Sequence, residues 1–167
     1  MLNGLRIDAQ GTKRWYRNGR LHREDGPAIE WADGSKEWCL NDNLHRTDRP
    51  AFEGALGIKA WYRNGRLHRE DGPAREGANG DKKWYLNGKL HREDGPAVEE
   101  ADGTKCWYRN GELHREDGPA VEYADGTKEW WLKGESLGEG GAGFWALWDR
   151  LSNEQRGNPT LLRHIPK

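Results

Sequence analysis

Leucine, isoleucine, valine and phenylalanine together supply 24 of the 167 residues, about 14 % of the chain. A share below about 20 % signals disorder when net charge is also large. Here the net charge is −1, and there are 10 Trp and 5 Tyr. Disordered segments are poor in aromatics, so the shortage excludes an ordinary aliphatic core rather than folding itself. Apolar runs stay far below the roughly 20 residues of a membrane-crossing helix. Residues 1–10 lack the apolar stretch of a signal peptide. Two cysteines, Cys39 and Cys106, are too few for a disulfide scaffold. The charge balance has no basic excess, so bulk attraction to nucleic acid is not expected. A cytoplasmic protein without a membrane segment is the expectation. What the chain has in excess is glycine, 23 residues, and tryptophan.

Both excesses are periodic. Gly11, Gly34, Gly57, Gly80, Gly103 and Gly126 recur at a constant spacing of 23. Lys follows each by two positions, and Trp follows by four: Trp15, Trp38, Trp61, Trp84, Trp107 and Trp130. No insertion interrupts this register, so the chain is a repeat array, the feature to seek before any other.

Each unit reads as strands joined by tight turns. Residues 13–17 are β-prone, and Asn18-Gly19 is the strongest two-residue hairpin signal. Residues 20–23 return as the partner strand. The next turn, residues 24–27, ends in Pro27, which removes a donor. Residues 28–32 are extended, and Asp33-Gly34 is a further hairpin signal. Across Asn18-Gly19, Arg17 should face Arg20, Tyr16 face Leu21 and Trp15 face His22. Across Asp33-Gly34, Trp38 should face Ile29 and Lys36 face Trp31. The six invariant Trp are expected to form the core, with Ile29, Phe52, Val98 and Val121 beside them. At roughly 4.8 Å per strand, six hairpins would stack into a rod of about 50–60 Å.

This unit, with its Gly19-Arg20-Leu21-His22 element, resembles the MORN repeat. It departs from that family at Arg23, where the family has Gly, and at Asp25-Gly26-Pro27. The resemblance covers about residues 5–138 and is to a divergent, MORN-like class similar to repeats in uncharacterised bacterial and phage proteins. It implies an all-β fold: an elongated, solenoid-like stack of 23-residue antiparallel hairpins, serving as a binding scaffold. If the context is phage, it implies an inhibitor of a bacterial host or defence protein, acting in the host cytoplasm.

The ends depart from the period. The chain opens with half a unit, runs through five full copies and degrades in the sixth, which gives a repeat array over residues 1–138. Residues 139–143 read as a Gly-rich linker. Phe144, Leu147, Trp148 and Leu151 then fall at helical spacing, with Gly157 and Pro159 as stop signals. Residues 139–167 are therefore expected to be a linker and a helix that caps the last hairpin. Dimerisation or partner binding is the alternative role for that helix. Copy two is irregular: Asp42 and Arg49 stand where other copies have Gly, and it should be the weakest hairpin. The tip residue alternates Arg17, Leu40, Arg63, Leu86, Arg109, Leu132, which suggests an older double unit.

His22, His45, His68, His91 and His114 each open a His-Arg-Glu-Asp run or its copy-two variant. A catalytic centre needs one unique constellation, whereas this one recurs, so scaffolding is the expected role and no catalytic residue is assigned. Arg23-type and Asp25-type residues are expected to bridge neighbouring units, and Lys13-type residues to pair with Glu30-type ones. Histidines about 10 Å apart cannot share a zinc ion whose ligands sit near 2 Å. Cys39 and Cys106 lie too far apart for a disulfide and should be free thiols. No metal or cofactor is expected.

Partner-binding candidates are the variable hairpin tips and the Trp that break the period: Arg17, Arg20, Arg63, Arg66, Lys89, Arg109, Trp31, Trp131, Trp145 and Trp148. Charge is uneven, net +2 over residues 1–73, −4 over 74–138 and +1 over 139–167. The expected function is non-enzymatic binding of a macromolecule, a protein first. The alternative is nucleic-acid or nucleotide binding by the Arg tips and aromatic columns. An enzyme would need an unrepeated pocket near Trp145, Trp148 and His164.

Overall fold

The computed structural model describes residues 2–166. It is an all-β array of short antiparallel hairpins closed by a C-terminal helical cap. The chain divides into two compact units, one ending at Gly88 and the other beginning at Lys89. In the first, one antiparallel sheet runs through Gly4–Ile7, Lys13–Arg17, Ile29–Glu30, Lys36–Glu37, Phe52–Glu53, Lys59–Ala60, Arg75–Glu76 and Lys82–Lys83. In the second, the order is Val98–Glu99, Lys105–Cys106, Val121–Glu122, Lys128–Leu132 and Glu135–Glu139. Smaller tip hairpins branch from these sheets, such as Tyr62–Arg63 with Arg66–Leu67 and Tyr108–Arg109 with Glu112–Leu113. Among the described residues no helix is long and apolar enough to cross a membrane.

The Asn-Gly turns behave as their chemistry demands. Asn18 and Gly19 both take positive φ, +51° and +80°, which holds Tyr16 opposite Leu21 and Arg17 opposite Arg20. His22 N–H donates to the Trp15 carbonyl at 3.0 Å, which completes the expected Trp–His pair.

The Asp-Gly turns differ from expectation by one residue. Ile29 faces Glu37 and Glu30 faces Lys36, so Trp38 does not face Ile29. The loop holds three residues, not two. Gly34 N–H donates to the Trp31 carbonyl, and Gly34 then takes φ +93°. That is a turn followed by a left-handed residue, the usual three-residue hairpin solution. Asp33 Oδ1 accepts from Ser35 N–H at 2.8 Å and fixes it. The shifted register brings Lys and Glu into strict alternation. In the first unit the column reads Lys13, Glu30, Lys36, Glu53, Lys59, Glu76, Lys82. Opposite charges directly across a sheet contribute roughly 0.2–1 kcal/mol per pair.

The Trp column is not the buried core. Trp15, Trp38, Trp61, Trp84 and Trp107 are half-buried, and only Trp130 is enclosed. The deepest column is alanine: Ala28, Ala51, Ala74, Ala97 and Ala120 are fully buried. Each Pro turn folds its Ala back onto its own Trp, whose N–H donates to the Ala carbonyl at 2.8 Å in copies one, two, three and five. The exposed Trp face is roofed by arginine: Arg23, Arg46, Arg69 and Arg115 sit 3.9–4.2 Å from the ring centroids of Trp15, Trp38, Trp61 and Trp107.

That roof explains the glycine before each Pro. Its φ is ordinary, but a Cβ on Gly26 or Gly72 would lie 2.8–2.9 Å from the Arg23 or Arg69 guanidinium carbon. In copy two Arg49 occupies this position, also without positive φ, contrary to expectation. The Arg46–Asp48 pair there opens to 4.0 Å, against 2.7–2.9 Å in copies one, three, four and five. Asp42 does take positive φ, +68°, and its carboxylate accepts from Leu21 N–H at 2.7 Å.

The C-terminal segment is three short helices: α1 Gly140–Trp148, α2 Asn153–Arg156 and α3 Pro159–Leu162. The expected linker at 139–143 is instead the end of a strand and the start of α1. The first helix ends at Trp148, before the expected stop at Gly157. Phe144, Leu147, Leu151 and Leu161 form one buried cluster with Trp130. In copy six Gly138 stands where the roofing Arg would be. Phe144 and His164 cover Trp130 instead, edge-on at 5.4 and 5.8 Å.

Candidate binding surface

The repeated His-Arg-Glu-Asp runs sit on loops at the side of the array, and each member has a structural task. The His links consecutive copies. His22 Nδ1 accepts from Asn41 N–H at 3.3 Å, and His45 and His68 accept from Asn64 and Asn87 in the same way at 3.2 Å. His91 accepts from Asn110 N–H in the second unit at 3.1 Å. This satisfies the backbone of a turn that no strand pairs. The Arg pairs within its own copy, not between units as expected. Arg69 Nε donates to Asp71 at 2.8 Å, and its Nη1 donates to the Pro73 carbonyl at 3.3 Å and to Glu76 at 3.4 Å. The expected Lys–Glu pairing is present, with Lys13 Nζ 3.2 Å from Glu30.

Grooves with recurrent walls lie between consecutive loops at three places, two in the first unit and one in the second. One, of about 440 Å³, runs between the loops of copies one and two, with Trp38 and the tip residue Leu40 in its wall. The next, of about 300 Å³, replaces that Leu by Arg63 beside Trp61. A third, of about 600 Å³ and wholly within the second unit, has Trp107, Arg109 and Asn158. The change of tip residue from Leu40 to Arg63 therefore changes the chemistry of the groove wall.

The candidate residues fall into separate places. Arg63 lines a groove and Arg17 does not, and both are neutralised in their own copies, Arg17 by Glu24 at 2.9 Å and Arg63 by Glu70 at 3.4 Å. The Arg23 and Arg69 side chains hold Asp25 and Asp71 well below the usual carboxylate range. Glu24 is lowered too, first by its hydrogen bond from His22 and then by Arg17. Arg20 lies 3.9 Å from Asp42. Arg66 and Lys89 sit on the return strands of their tips, and their stems face Gly88 and Gly111. Trp31, 37 % exposed, stands at a distant loop, donates to Glu37 at 3.0 Å and stacks with Arg14. Trp131 donates to Glu129 at 2.9 Å. Trp145 and Trp148 belong to the cap, Trp145 exposed and Trp148 under Arg156. The ten residues do not converge on one surface.

Sequence reasoning missed Gln155 and Asn158, which reach the copy-five loop from the cap. Gln155 Nε2 donates to Glu116 at 2.9 Å across 39 residues, a contact with no local signal. Cys39 and Cys106 are not joined in a disulfide. Burial pushes the Cys39 thiol up to about 12. Among the described residues no cluster of three or more His, Cys, Asp or Glu is arranged to hold a metal ion. No protein-family model matches this chain, and no curated protein matches it.

Proposed function

We propose that this chain is a non-enzymatic scaffold of MORN-like repeats that binds another protein. The observation that carries this reading is the recurrent groove. Its Trp, Arg, Glu and Asp walls repeat, while the tip residue that completes it changes from copy to copy. Such a surface suits an extended partner read at several points. The mixed charge favours a protein over nucleic acid. The Arg17 and Arg63 tips already carry carboxylate partners, and the Trp faces that could stack bases are covered by Arg. The apolar face of α1 is buried against Trp130, which supports capping over dimerisation as its role. A bacterial host or defence protein as the partner rests on the resemblance to phage repeats alone.

The test is affinity capture followed by reconstitution with the purified partner. Charge reversal at the tips, Arg17→Glu with Arg63→Glu, should weaken the reconstituted complex. A salt-sensitive gel shift with single-stranded DNA or RNA, lost in the same variant, would replace the protein reading with the nucleic-acid one.

A further inference from the structure

Copies one, three and five carry arginine at the tip, and one of them handles it differently. In copy one a single carboxylate, Glu24, accepts from Arg17 Nη1 at 2.9 Å and lies 3.2 Å from His22 Nε2. In copy three Glu70 does the same, 3.4 Å from Arg63 and 3.1 Å from His68. An internal carboxylate thus bridges guanidinium and imidazole.

Copy five has the same three residues, Arg109, His114 and Glu116, but the cap redirects the acid. Gln155 Nε2 holds Glu116 Oε2 at 2.9 Å. The other oxygen is left 3.5 Å from His114 Nε2, and Nε2 makes no hydrogen bond. Arg109 makes no ion pair among the described residues. His114 Nδ1 accepts from Lys133 N–H at 3.2 Å, so the neutral ring carries its proton on Nε2. That side chain is only 8 % exposed, and a buried donor without an acceptor is costly. Arg109 therefore lacks the carboxylate that its counterparts share, and His114 Nε2–H, with almost no accessible surface, faces Glu116 at 3.5 Å without a hydrogen bond. They line the groove of about 600 Å³, within the size range of ligand sites.

We propose that this groove receives an Asp or Glu side chain of a partner polypeptide, bound by Arg109 and, as it displaces the Glu116 carboxylate, by His114 Nε2–H. The inference rests on the protein-binding reading above and names where its specific contact lies. Phosphate would use the same donors. Glu93, Asp94, Glu116 and Asp117 also line the groove, and they disfavour a dianion more than a monoanion. Asp94 and Asp117 are tied to Arg92 and Arg115 at 2.9 and 2.7 Å; Arg109 has Glu112 opposite it on the return strand but makes no ion pair with it, and is the groove cation that takes the incoming charge.

The test is an NMR titration of the full chain with three probes: acetyl-Gly-Glu-Gly-amide, its Gln analogue and inorganic phosphate. The Glu peptide should give saturable shifts at the Trp107 indole, Arg109 and His114. Arg109→Gln, the Gln peptide and phosphate should each bind at least about tenfold more weakly, the usual effect of losing a charge-assisted bond. Gln155→Glu preserves the helix cap but repels Glu116 toward Arg109, and should also abolish the shifts. Arg63→Gln should change nothing. Equal shifts with the Gln peptide, preference for phosphate, or binding that survives Arg109→Gln or Gln155→Glu would overturn the proposal. A captured partner that still binds the Arg109→Gln variant at full strength would remove this contact and leave the scaffold reading intact. Peptide binding here with no protein partner recovered would do the reverse.

Discussion

Replacing Arg69 by alanine should destabilise the first unit by about 2–3 kcal/mol. The guanidinium lies 4.0 Å from the Trp61 ring centroid, and a partly desolvated cation–π contact contributes about 1 kcal/mol. Its bond to the Pro73 carbonyl at 3.3 Å contributes about 1 kcal/mol. Loss of the stem that covers Trp61 adds a further fraction. The bond to Asp71 is open to solvent and is not counted. Arg69→Lys separates charge from shape. It keeps the cation but cannot hold Asp71, Pro73 and the Trp61 face with one planar fork, so it should recover less than half of the loss. Arg46→Ala should cost about as much, because Arg46 also lies 4.0 Å from its Trp38 ring centroid and 3.3 Å from the Pro50 carbonyl, and only its solvent-open pair with Asp48 is stretched, to 4.0 Å. Urea unfolding followed by Trp fluorescence and far-ultraviolet circular dichroism measures all three. Coincidence of the two probes tests whether the transition is cooperative. A loss below about 0.5 kcal/mol for Arg69→Ala, or a lysine variant equal to wild type, would refute the argument that a planar roof stabilises each copy.

The cap should depend on a single glycine: a Cβ on Gly143 would lie 2.4 Å from Trp130 Cδ1 and 2.5 Å from the Gly138 carbonyl oxygen. Gly143→Ala should cost about 1–3 kcal/mol and expose residues 140–166 to limited proteolysis. Stability should also depend on pH through His114 and His164, both of whose pKa values burial lowers. The unfolded chain binds these protons more readily, so stability is full above about pH 6.5 and falls as pH drops toward the lowered folded values. Urea midpoints at pH 7.5, 6 and 5 measure this, and His114→Asn should flatten part of the slope. Cys39, buried and with its thiol pushed up to about 12, should resist a thiol reagent in the native chain and react with it in denaturant, as followed by mass spectrometry.

Much of the architecture was legible because the controlling interactions are local. The 23-residue period, the Asn-Gly turns and the Trp–His pairing all follow from residues within a few positions of one another. Misreadings arose where two local solutions compete. Asp33-Gly34 suits a two-residue turn, but Asp33 also caps Ser35 N–H, and the longer loop places Lys opposite Glu along the whole column. The Trp column was read as core because it never varies. Its constancy comes equally from the arginine that lies on it, and the wholly buried position belongs to Ala28 and its counterparts.

The repeat, its strands and its turns are thus properties of the sequence, since the turn signals and strand residues of each unit recur every 23 residues. Copy five differs from copies one and three partly within its own unit, where Glu112 stands opposite the tip arginine in place of Arg20 or Arg66. Arg109, His114 and Glu116 stand in the same order as Arg17, His22 and Glu24. The larger difference comes from the folded cap, which brings Gln155 to Glu116 across 39 residues and draws that carboxylate away from the tip. A charged pair is decided by which partner arrives at hydrogen-bond distance, and in this protein that is set by tertiary structure.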